Sequence, residues 1–130
     1  MKIAVIIVRV LMGLMYLFAS VVVLFKINMG PQPELHGGAK SFMEGMIATG
    51  YFLTLVKVTE LVCAIAFITG FFAPLATVVI FPITLNIFLY HAFLTPGDLL
   101  MPALLLLGNL LLAYAYRKHY AKLVVAKAEL

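Results

Sequence analysis

Residues 3–25 read IAVIIVRVLMGLMYLFASVVVLF, an apolar run broken only by Arg9. At 1.5 Å per residue, a helix of this length extends about 34 Å, enough to cross a hydrocarbon core of about 30 Å. Lys2 ahead of the run would also suit a signal peptide. The apolar core is too long for one and no A-x-A-like site follows, so a retained membrane span is expected. A guanidinium inside such a span costs about 2.5–3.5 kcal/mol on insertion scales, which marks Arg9 as a residue that needs a partner.

The rest of the chain agrees with this reading. Of 130 residues, 65% are hydrophobic and only 11% charged, and the mean hydropathy is +1.18. A soluble domain carries about a quarter charged residues, and one of this size has too little interior to hide so much apolar surface. The solvent is therefore expected to be lipid, around a single domain covering residues 1–130. The net charge of +4 comes from basic residues at the chain ends and in one loop. No basic stripe interleaves with aromatics, so nucleic acid is excluded as a partner. The one cysteine, Cys63, stands in an apolar run and is expected to pack as a small hydrophobe. A disulfide framework or a CxxC pair within one chain is excluded.

Three further apolar runs follow, at residues 51–72, 74–94 and 99–116. The fold class expected is all-α, a four-transmembrane-helix bundle with a short interfacial helix before the second span. Gly70 to Pro74 reads as a tight turn, with Gly at a helix C-terminus and Pro in the next first turn. Asp98 is placed to cap the fourth helix, and Pro102 falls in its first turn. Pro82 is expected to kink the third span and free the carbonyl of Val78. The long connection, residues 26–50, is broken by Gly30-Pro31-Gln32-Pro33 and Gly37-Gly38. Within it Ser41-Phe-Met-Glu44 matches a capping box. Residues 42–48 then form either a short helix on the membrane surface or an extension of the second span.

Lys and Arg counts give the orientation. Lys2 precedes the first span, and Arg117, Lys118, Lys122 and Lys127 follow the fourth, against Lys26 and Lys40 in the long loop. Both termini are expected in the cytoplasm. The basic tail, residues 117–130, should lie on anionic headgroups.

Counting along the spans places Tyr16, Glu60, Asn86 and Asn109 near the bilayer midplane, one polar group per helix. Aligned polar groups can satisfy one another in lipid. We expect Arg9 to pair with Glu60 and Lys57 to join them, since Lys57 and Glu60 are three apart on one helix face. Gly13, one turn after Arg9, leaves room for a neighbouring helix. Lys57, Asn86 and His91 together could line a cavity open toward the long loop. The bland readings are an ion pair that only locks helix register, asparagines acting as interhelical glue, and His91 as a hydrogen-bonded wall residue. No second ligand stands at metal spacing from His91, so no metal site is expected. His36 and His119 should be solvated.

With these residues placed, the chain resembles the DoxX family of small four-helix membrane proteins. The likeness rests on Arg9-Val-Leu-Met-Gly13, Lys26, Glu60 and Gly70, and on the segments Lys57-Val-Thr-Glu60-Leu-Val-Cys63 and Pro82-Ile-Thr-Leu-Asn86-Ile-Phe-Leu-Tyr-His91. The resemblance implies a bundle in the bacterial inner membrane, with Arg9 and Glu60 as family polar positions. It also implies a link to thiosulfate–quinone oxidoreduction or redox-stress complexes.

Three functions compete. The first is a non-catalytic membrane subunit or anchor of a larger redox or envelope complex. It would touch other membrane or redox proteins or a second copy, with no cofactor of its own beyond contact with a quinone. The second is a small-molecule binding protein or transporter using the polar cavity. The third is an intramembrane enzyme with Glu60 or His91 as acid or base. No nucleophile–base pair is legible in the spacing, so we expect no catalytic activity of the chain on its own.

Overall fold

The computed structural model describes residues 2–28, 30, 34–127 and 129. The Pro31–Pro33 portion of the expected loop break lies outside the described residues. Among the described residues six α-helices follow in order: α1 (Lys2–Leu24), α2 (Gly37–Ala48), α3 (Phe52–Thr69), α4 (Ala73–Leu94), α5 (Leu100–Ala115) and α6 (Arg117–Tyr120). A 3-10 turn, Pro96–Asp98, separates α4 from α5. No strand occurs among the described residues. α1, α3 and α4 are long and apolar enough to cross a membrane, and α5 is a shorter apolar helix of 16 residues.

These helices are turned inside out relative to a water-soluble bundle. α1 buries Met12, Gly13, Tyr16 and Ser20, a stripe repeating about once per turn. Its opposite face exposes Ile3, Ile7, Leu11, Leu14 and Phe18. Glu60, Thr77, Thr84 and Asn109 are buried on the other helices. Large side chains outside and polar groups inside suit a hydrocarbon solvent, in which polar groups must find partners within the protein.

α1 packs against α3 and α5, and α4 against the same two, so the four close into a ring. Small residues set the spacing. A Cβ on Gly13 would lie 2.7 Å from Ile68 Cγ1 and 3.1 Å from the Ala64 carbonyl oxygen. A Cβ on Gly108 of α5 would lie 3.2 Å from both Met12 Sδ and Val8 Cγ1. Membrane helices lack a hydrophobic drive to associate, and close approach at small residues maximises their dispersion contact.

The turn at Gly70 is as the sequence reads. Gly70 has φ +86° and its N–H donates to the Ala66 carbonyl (2.8 Å), closing α3 in the left-handed conformation glycine adopts without strain. α4 then starts at Ala73 with Pro74 in its first turn, and it runs through Pro82 to Leu94 without a break in helix.

α2 is a separate helix rather than an extension of α3. Thr49 ends it, its hydroxyl donating to the Met46 carbonyl (2.7 Å) and accepting from the Phe52 N–H (2.9 Å), and Gly50 turns the chain at φ +80°. α2 packs across the ends of α3 and α4, with Phe42 against Tyr90 at 5.2 Å between ring centroids.

Two local expectations need correction. The capping box does not form. α2 starts four residues before Ser41, at Gly37, whose φ of +61° suits glycine, and Gly38 lets the backbone come close to Leu94, where a Cβ would meet Leu94 Cδ2 at 2.6 Å. Ser41 is thus inside the helix, and Glu44 reaches the exposed Lys40 (3.9 Å) instead. Asp98 caps nothing either. Its N–H donates to the Thr95 carbonyl (3.1 Å) in the 3-10 turn, so α5 starts two residues later with Leu99 at its N-cap.

Candidate functional site

Between the ring of helices and α2 lies a cavity of about 790 Å³. Ligand pockets usually fall between about 300 and 1,000 Å³, with apolar walls and a few converging polar groups. This one fits that description. Met15, Ile83, Ile87 and Leu105 line it from α1, α4 and α5, and Phe42, Met43 and Met46 line it from α2.

Its polar groups come from several helices. Lys57 and Glu60 line it from α3 and form an ion pair, Nζ to Oε2 at 3.2 Å, with side chains 18% and 2% exposed. Beyond Lys57, the buried Glu60 Oε2 has no polar partner among the described residues. Tyr16 of α1 also lines the cavity and shares a 2.6 Å hydrogen bond with the Thr84 hydroxyl of α4. Asn86 and His91 line it from α4, the asparagine largely exposed. His91 Nδ1 lies 2.8 Å from the Ile87 carbonyl. A carbonyl only accepts, so Nδ1 carries a proton there, and in the neutral ring Nε2 keeps its lone pair.

Lys57, Asn86 and His91 thus meet around one cavity, beside Glu60 and Tyr16. Arg9 and Asn109 do not. The expected Arg9–Glu60 pair is absent, and among the described residues Lys57 alone partners Glu60. Arg9 lies instead against Gly70, where a Cβ would be 3.0 Å from Nη1, and its Nε is buried with no hydrogen-bond partner among the described residues. The cause is register. Gly13 seats on Phe67 and Ile68 in an antiparallel pair, so residue 9 falls beside residue 70, about 15 Å along α3 from Glu60. There the guanidinium meets the last turn of α3, where carbonyls lack helical partners and the macrodipole is negative. Asn109 ties α5 to α4 below the cavity, its Nδ2 donating to the Thr77 carbonyl at 3.3 Å. The single polar layer therefore separates into three levels.

Sequence reading missed Thr77 and Thr84. They lie seven residues apart, two helical turns, on one face of α4 together with Ile80. That spacing was available as a signal, but threonine in an apolar helix commonly bonds its own preceding turn. Thr77 does so, donating to the Ala73 carbonyl at 2.8 Å, whereas Thr84 bonds Tyr16.

Exposed apolar faces, buried polar groups and three membrane-length helices define an integral membrane protein of the all-helical class. The sequence pattern of the DoxX family matches residues 4–93, and the chain belongs to that family. The match covers α1 to α4 up to Phe93, and with them Lys57, Glu60, Asn86 and His91. No curated protein and no solved structure matches the chain.

Proposed function

We propose that the protein crosses the bacterial inner membrane four times, with α5 as the fourth crossing and both ends in the cytoplasm. It serves there as a non-catalytic subunit of a larger redox or envelope complex, and its own contribution is the cavity. The single observation that carries this reading is an apolar chamber of about 790 Å³ with Lys57, Glu60, Asn86 and His91 on its wall. A quinone fits that lining. Lys57 and Asn86 supply donors for ring carbonyl oxygens, and Met15, Ile83 and Leu105 supply a surface for an isoprenoid tail. The bound group would bring redox chemistry, and the chain's residues would position it and exclude water.

The orientation is supported by charge. Lys2, Arg9, Arg117, Lys118 and Lys122 gather at the end away from α2, while Glu34, Glu44 and Asp98 lie toward the α2 end with Lys26 and Lys40. The tail after α5 also exposes Leu123, Val124 and Val125 beside its lysines, a composition suited to an anionic membrane surface.

Affinity purification from native membranes in mild detergent tests this reading. Partner membrane or redox proteins, together with extractable quinone, are expected. A lone protein free of both would overturn it. A second reading, a binding protein or transporter that works without partners, is favoured by the same polar wall. In that case Lys57→Ala or His91→Ala should abolish solute uptake by proteoliposomes, and unchanged uptake would dismiss it.

A further inference from the structure

We propose that the Lys57–Glu60 pair is the seat for the head group of a neutral, apolar alcohol or phenol. This rests on reading the cavity as a ligand site. Glu60 Oε2 is buried beside Lys57 Nζ at 3.2 Å and has no other partner among the described residues. A carboxylate offers about four lone-pair sites and an ammonium about three donors. One contact leaves most of that capacity unfilled among the described residues, in surroundings where unfilled charged groups are costly.

A small group that both accepts from Nζ and donates to Oε2 fills the gap. A hydroxyl does both through one oxygen. An ether, ester or ketone oxygen accepts from Nζ and leaves Oε2 as it was. Charge narrows the class further. The pair sums to zero, so an anionic head meets repulsion from Glu60 and a cationic head meets it from Lys57. A neutral head enters without separating them. Asn86, His91 and Asp98 also reach the wall, but most of the remaining surface, with Met15, Ile83 and Leu105, is apolar and suits a hydrocarbon body. Within a quinone couple, the reduced, hydroxyl-bearing member meets this requirement.

Isothermal titration of the detergent-purified full chain with 4-nonylphenol, 4-nonylanisole and nonylbenzene, each against protein-free micelles, tests the assignment. The three share ring and tail and differ only in the head. The phenol is expected to bind at least about tenfold more tightly than the anisole, the scale of one hydrogen bond to a charged partner. In the double variant Lys57→Met/Glu60→Leu that preference should vanish while nonylbenzene binding holds, with circular dichroism reporting the fold. Equal binding of phenol and anisole to the native protein would overturn the head-group assignment, leaving the pair to water, while the cavity reading stood. A preference that survives in the folded double variant would move the hydroxyl to another partner and overturn it too. If none of the three binds, the assignment and the ligand-site reading fall together. Should the double variant not fold, the three-probe comparison on the native chain decides.

Discussion

The two ends of the helix ring are built on opposite principles. At the end away from α2, α1 touches α3 through Gly13 and α5 through Gly108, and Arg9 lies over Gly70, so backbones approach closely, and the space there is a smaller cleft of about 470 Å³ between α3 and α4 with no charged residue on its wall. At the α2 end, α1 presents Met15 and Tyr16, α3 presents Lys57 and Glu60, and α4 presents Pro82 and Asn86, and between them the helices enclose the cavity. Glycine lets the ring close at one end, while bulky and charged side chains prop it open at the other. The difference separates a packing region from the region proposed to bind a ligand within one small chain.

Removing one member of the buried pair should have the largest effect. Lys57→Met leaves the Glu60 carboxylate buried without its cation and should cost about 3–5 kcal/mol, read as unfolding in mixed detergent micelles. Lys57→Met/Glu60→Leu should recover most of that loss, since an apolar pair of similar volume is often neutral or better. A double variant as unstable as the single one would show that the pair holds the α2 end together rather than furnishing a site.

Changes at the packed end come next. Gly13→Val places methyl groups against Ile68 and the Ala64 carbonyl and should cost about 1–3 kcal/mol by overpacking, with the helix content retained. Gly70→Ala must hold φ near +86° and displace the Arg9 guanidinium, for about 1–2 kcal/mol from the backbone conformation alone. Neither should alter ligand affinity in the cavity beyond twofold. If either did, the two ends would be coupled and the contrast between them would be lost.

Smaller effects sharpen the boundary. Tyr16→Phe removes the hydrogen bond to Thr84 and should cost about 1 kcal/mol. Ser41→Ala should change stability by less than about 0.5 kcal/mol, because Ser41 is exposed within α2 and caps nothing. A loss near 1 kcal/mol would restore Ser41 as the helix cap.

Much of the fold was legible because one-dimensional signals determine it. Long, nearly continuous apolar runs marked the long helices, and Gly70 followed by Pro74 marked a turn whose geometry is local. What failed depended on the relation between helices. Depth counting put Arg9 and Glu60 within reach of each other, but the register of α1 on α3 is set by how Gly13 seats on Phe67 and Ile68, and residue spacing within one helix does not encode that. The α2 boundary failed for a similar reason. Gly37-Gly38 reads as a breaker in isolation, and the packing of Gly38 on Leu94 is a tertiary contact that local sequence does not encode. Lys57, Asn86 and His91 were legible as a group because α3 and α4 are joined by a short turn, which limits their relative placement. Asp98 on the same wall, and Thr84 behind it on Tyr16, were not, since neither residue type is unusual where it stands.

The central claim is that an apolar ligand site lies under α2, and photolabelling tests it most directly. A diazirine-bearing alkylphenol is irradiated with the purified protein and the attachment sites are mapped by mass spectrometry. The account predicts labels concentrated on Met43 and Met46 of α2, Met15 of α1 and Leu105 of α5, suppressed by excess 4-nonylphenol. Labels confined to the outward-facing Leu11, Phe18 and Leu107, with no competition, would contradict it.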